Sequence, residues 1–214
     1  MPHLIEPLAG PTDLQTFRAG LASAHDALVG AATQWSLSEI PLETWGASAK
    51  RTLIRVSGCH PWVGVQNQPF NELVNQLATV ERLLDALKWA GSAGFSRVMA
   101  CHPTTSSGDH DLVVERPDQA LGVFEVSDVA GPRGNENNKM ANDLRNLVGC
   151  KCQYCGYGAE KYLATSSVSG EWLQRLKMRD DRMEELCIAS LQFESAPEAG
   201  TMITRLTLTD SERE

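Results

Sequence analysis

The chain has 214 residues, 42% of them apolar, and a formal net charge of −8. That length can bury a sizeable core without disulfides or a structural metal, and the acidic balance excludes a uniformly basic nucleic-acid binder. No window approaches the ~18 apolar residues of a membrane span, which excludes a helical membrane protein as the expectation.

Charge is uneven along the chain. From Arg133 to Arg179 there are eight Lys/Arg against four Asp/Glu, so this span is +4. From Asp180 to Glu214 nine acids face three arginines, so it is −6. A local basic face is therefore expected, not a global field. No basic start precedes an apolar run, so no signal peptide is expected. The six cysteines are then expected to be reduced thiols in a cytoplasmic protein.

In chain order, "PTDLQTFRAGLASAHDALVGAA" predicts a helix with Phe17, Leu21, Ala24 and Leu28 on one face and Thr12 or Asp13 as cap. "SLSE" at 36–39 fits a capping box with Pro41 close behind, and 51–58 reads as strand or helix end. "GCHPWVGVQNQP" (58–69) is a connection. In "FNELVNQLATVERLLDALKWAG", Leu73, Leu77, Val80, Leu84 and Leu87 recur at helical spacing, with an end near Gly91 or Gly94. "SRVMAC" (96–101) is a short strand, 102–110 a loop, and "DLVVE" (111–115) and "LGVFEVSD" (121–128) are strands joined by the turn "RPDQA". A polar Gly/Pro loop (130–138) feeds a helix from about Asn138 to Val148 with Met140, Leu144, Leu147 and Val148 inward. "EKYLATSS" (160–167) is a strand and 169–179 a helix. "LCIASLQF", with Cys187, Ala189, Leu191 and Phe193 on one face, pairs with "TMITRLTLT" (201–209) as a terminal hairpin. These elements predict a mixed α/β (α+β) fold on a central sheet, with an N-terminal helical region over 1–68 and an α/β core over 69–214, together one compact domain in the simplest case.

The stretch "DHDLVVERPDQALGVFEVSD" (109–128) carries six carboxylates on and beside two strands. Asp111 opens the first strand and Glu125 lies late in the second. The order αβββαβ with acids in those places resembles the PD-(D/E)XK nuclease superfamily, the restriction-endonuclease-like fold, over about residues 71–167. The resemblance implies a metal-dependent nuclease that hydrolyses phosphodiester bonds, most naturally in DNA, in restriction or phage defence. It implies Mg²⁺ or Mn²⁺ on Asp111 and Glu125, with Glu81 of the preceding helix assisting. A homodimer or a defence-system partner subunit would fit that setting.

The chemistry is consistent with those residue types. In-line cleavage needs an activated water and a neutralised phosphate, and one or two Mg²⁺ on hard carboxylate oxygens supply both. On a strand, residues 125 and 127 share a face, which is why the family's lysine follows its acid by two. Here position 127 is Ser127. Lys139, at the start of the next helix, is the candidate replacement. Arg133, Asn138 and Arg145 are candidate nucleic-acid contacts. The same residues also read as an ordinary strand surface, with Lys139 pairing Asp143 at i,i+4. With Ser127 in place, the alternative is a catalytically inactive nuclease-fold protein serving as a nucleic-acid-binding or protein-interaction subunit. Asp118 sits in the turn and ranks below Asp111.

Cys150, Cys152 and Cys155 in "CKCQYCGYG" form a candidate zinc knuckle that lacks a second Cys-x-x-Cys, with reduced thiols as the simpler reading. Cys59-His60 and Cys101-His102 are adjacent in sequence. On a strand each pair points to opposite faces, which argues against thiol catalysis. The five tryptophans are scattered, with no basic-aromatic interleaving of a single-strand binder.

Overall fold

The computed structural model of the chain describes residues 11–23, 25–26, 70–101, 110–127, 134–149, 154, 158–166, 173–195 and 201–209. The expectations for 27–69, among them Leu28, the "SLSE" box and Cys59-His60, lie outside these residues, as do Cys150, Cys152 and Cys155.

β1 (Thr12–Asp13) leads directly into α1, a helix over 14–23. Asp13 caps it: its Oδ1 accepts the Thr16 N–H at 2.8 Å, and this bond holds the carboxyl below its usual range. α2 (Phe70–Ser92) follows and stops before Gly94, whose φ of +90° favours a residue without Cβ. Next come β2 (Arg97–Cys101), β3 (Leu112–Glu115) and β4 (Leu121–Ser127). α3 (Gly134–Gly149) begins about a turn earlier than the Gly/Pro loop suggested. β5 (Glu160–Ser166), α4 (173–177), α5 (Asp180–Glu185), β6 (Ile188–Ser195) and β7 (Thr201–Leu208) complete the described chain. The pattern left the short α5 unassigned.

The strands form one seven-stranded mixed sheet in the order β1-β2-β3-β4-β5-β7-β6. Successive strands from β1 to β4 run antiparallel to one another. β4 and β5 are parallel and joined through α3, with Gly122 opposite Glu160 and Ser127 opposite Thr165. The terminal hairpin does form, but β7 inserts beside β5 and leaves β6 at the edge. The fold is thus mixed α/β around a central sheet. No helix among the described residues is long and apolar enough to cross a membrane.

Two cores flank the sheet. On one face α1 and α2 bring Leu14, Leu21, Val80, Leu83, Leu87 and Ala90 against Phe124, Val126, Tyr162 and Ala164. Trp89, Phe124 and Tyr162 pack together there, the last two stacked at 4.7 Å. On the other face α3, α4 and α5 bring Met140, Leu144, Leu147, Leu173, Leu176 and Met183 against Val113, Val123 and Leu163. Each fully buried leucine contributes roughly 1.5–3 kcal/mol. α2 is rotated slightly from the stripe read in sequence. Ala86 and Ala90 also turn inward, so Leu83 is fully buried and Leu84 only partly.

The alternation read for β6 is corrected by a bulge. The register slips between Ile188 and Ser190, so Ile188 and Leu191 both point inward while Ala189 is exposed. Cys187, with φ +54°, precedes the bulge, and its carbonyl accepts the Thr209 N–H. The turn "RPDQA" forms as expected. Arg116 and Ala120 close it, Gln119 takes φ +69°, and Asp118 Oδ1 accepts the Ala120 N–H, which makes Asp118 a turn residue.

Candidate functional site

The last paired residues of β3 and β4 at this end are Leu112 and Phe124. One step further along the same register sets Asp111 opposite Glu125. Asp111 stands at the bend before β3, and its Oδ2 accepts the Val126 N–H at 2.7 Å. The carboxylate thereby takes the place of a strand carbonyl where the ladder ends. Phe124 and Val126 belong to the α2-side core and Val123 to the α3-side core, so period-two alternation turns Glu125 toward α3.

Glu125 is buried, and its Oε1 lies 3.2 Å from Nδ1 of His110, which is also buried. Cys101 sits opposite Leu112 across β2 and β3. Burial and, behind it, the negative charge of Asp111 push its thiol pKa far up, so Cys101 remains a neutral thiol. That disfavours it as a nucleophile, in line with the sequence reading of Cys101-His102. On the next strand Thr165 is fully buried opposite Ser127, and its Oγ1 has no hydrogen-bond partner. Polar groups therefore gather at the C-terminal ends of the parallel pair β4/β5, the place where open α/β sheets bind ligands.

Asp111 and Glu125 thus take facing positions where the β3/β4 ladder ends. Ser127 ends β4 and Asn138 and Lys139 lie in the first turns of α3, the helix that follows β4; their side chains, like the whole of Arg133, lie outside the described part. Arg145 is exposed further along α3 and donates to Asn142 at 3.0 Å. Glu81 is placed elsewhere. It is half-exposed on α2, which packs on the other face of the sheet, and its Oε1 is 3.5 Å from His25 Nε2.

Sequence reading did not single out His110, which it assigned to the loop over 102–110. The available signal was its position directly before the acid that opens a strand. It also missed Lys161, whose Nζ caps the C-terminal end of α3 on the carbonyls of Leu147 and Val148. A second polar centre went unread as well. Glu160 accepts from Arg116 at 2.9 Å, Arg205 at 2.8 Å and the Tyr162 hydroxyl at 2.6 Å, while Arg116 lies over the Phe95 ring at 4.0 Å.

Asp111 and Glu125 offer hard oxygen donors from adjoining strands. Among the described residues no group of three His, Cys, Asp or Glu side chains is arranged to hold a metal ion. Mg²⁺ needs only one or two carboxylates and keeps several waters, so the donor pair fits it in kind; Zn²⁺, which prefers nitrogen and sulfur, is not suited here. No known family model matches the chain, and neither the curated proteins nor the solved structures provide a match.

Proposed function

We propose that the protein is a metal-dependent nuclease with a restriction-endonuclease-like core, acting on phosphodiester bonds, with DNA as the first substrate class to test. The observation that carries this reading is positional. A helix leads into three antiparallel strands and then a parallel β4–α3–β5 crossover. Asp111 heads the middle of those three strands, and Glu125 lies near the end of the third, at the facing register position.

Asp111 and Glu125 would hold Mg²⁺ or Mn²⁺, which when bound supplies positive charge to the phosphate and a more acidic water. The chain's own part is to orient. Asp111, fixed by the Val126 N–H, and Glu125, fixed by His110, present oxygens from two strands whose spacing the ladder sets. Lys139 is the candidate for the charge that Ser127 does not provide. Arg133, Asn138 and Arg145 would contact the nucleic-acid backbone from α3 and the loop before it.

Ser127 favours a second reading: a nuclease fold that binds nucleic acid or a protein partner without cutting. A restriction or phage-defence role belongs equally to both. Supercoiled plasmid incubated with the protein and Mg²⁺ or Mn²⁺ separates them. The wild type is expected to nick, and Asp111→Asn to lose nicking by about 100-fold or more, roughly 3 kcal/mol of barrier. A wild type as silent as the variant with either metal, on DNA and on RNA, leaves the non-cutting reading.

A further inference from the structure

His110 and Glu125 are 2% and 8% exposed, and their contact runs from the ring nitrogen nearer the backbone. Burying two polar side chains costs stability unless they satisfy one another, and a well-packed apolar pair of similar volume serves a core at least as well. The buried neighbours Leu112, Val113 and Phe124 are apolar, and Thr165 on β5 adds a buried hydroxyl without a hydrogen-bond partner. The polar pair stands where the β3/β4 ladder ends and where Asp111 has already turned a carboxylate onto the backbone of β4. At 2% exposure His110 does not touch a substrate, and its Nδ1 faces the Glu125 carboxylate.

We infer that His110 is a positioning residue: its Nδ1–H holds the Glu125 carboxylate in one orientation for a divalent cation shared with Asp111. The inference rests on the nuclease reading above. Carboxylates that ligate metals are commonly held by such an outer hydrogen bond, and its loss typically weakens metal binding or activity about 10–100-fold. The geometry makes the requirement atom-specific, since the donor must stand at Nδ1. An asparagine amide nitrogen falls close to that atom, whereas a glutamine amide nitrogen falls near Nε2.

The test is calorimetric titration of Mn²⁺ into the full chain as wild type, His110→Asn, His110→Gln and His110→Leu, with plasmid nicking at saturating Mn²⁺ and thermal melting without metal. His110→Leu and His110→Gln are expected to bind Mn²⁺ about tenfold more weakly or worse, with His110→Asn recovering most of the loss. If His110→Leu does not fold, the contrast between Asn and Gln still decides. A merely structural histidine would shift melting while leaving Asn and Gln alike in Mn²⁺ affinity, and that result overturns the inference. A wild type that nicks while His110→Leu and His110→Gln match it in Mn²⁺ affinity overturns the inference alone. A wild type that neither binds Mn²⁺ nor nicks overturns the nuclease reading, and the inference with it.

Discussion

Two glutamates mark opposite ends of the parallel pair β4/β5, and they are secured by different chemistry. Glu160 opens β5 and is bracketed by the guanidiniums of Arg116 and Arg205 and the hydroxyl of Tyr162. Its side chain is 22% exposed, and its ligands come from the β3–β4 turn, β5 and β7. Two permanent cations on one carboxylate make a strut between strands. Glu125, near the end of β4, is more deeply buried and meets an imidazole, with Asp111 at the facing position where the β3/β4 ladder ends. Two acids on facing strand positions are a cost to a fold unless something else gathers them. The first centre is explained by stability. The second, on the nuclease reading proposed above, serves a ligand that wants oxygen donors.

The sharpest way to break this comparison is to make the second centre apolar. His110→Leu/Glu125→Leu removes both partners at once, so neither is left buried and alone. The double variant is expected to lose nicking by about 100-fold or more while melting within a few degrees of the wild type or above it. Plasmid nicking and thermal melting on the same preparation measure both. A collapse in melting temperature would place the pair among the struts. The same logic applied to the first centre gives the opposite sign. Glu160→Ala strands two guanidiniums, which water relieves only in part because they are half-buried, so a stability loss of about 2 kcal/mol is expected in urea unfolding. Nicking per folded molecule should stay unchanged.

The difference between the centres also explains what could be read from sequence. Asp111 and Glu125 were legible because a strand start and a period-two position suffice to place them. The order of elements from α2 to β5 was legible because Val- and Leu-bearing runs and a helical stripe mark it. Glu160 with Arg116 and Arg205 was not, since its partners lie 44 and 45 residues away and only the sheet order joins them. The β6 bulge hid behind a clean alternation, because local pattern cannot register a slip fixed by the partner strand. His110 was missed for a related reason: in a polar run its burial depends on the register of β4, not on its neighbours.

The smallest expected effect concerns Tyr162, the hydroxyl in the first centre. Burial, then its hydrogen bond to Glu160 and that group's charge, raise its pKa well above the ordinary value, against weaker opposing pulls from Arg205 and Arg116. The unfolded chain ionises this tyrosine near pH 10, whereas the folded chain keeps the proton to higher pH. Its contribution is therefore fully present below pH ~10 and is lost as pH rises from there toward the folded value, at up to about 1.4 kcal/mol per pH unit. Tyrosinate absorbance during alkaline titration should show Tyr162 titrating only as the protein unfolds. Tyr162→Phe should abolish that late step and flatten the alkaline fall in stability. Glu160→Ala should bring the step to lower pH, because the acceptor and the negative charge that hold the proton are both gone, while burial alone still keeps it above the ordinary value. A late step unmoved by Glu160→Ala would mean that the carboxylate does not hold the hydroxyl, and the first centre would then be a pair of ion bridges without its third member.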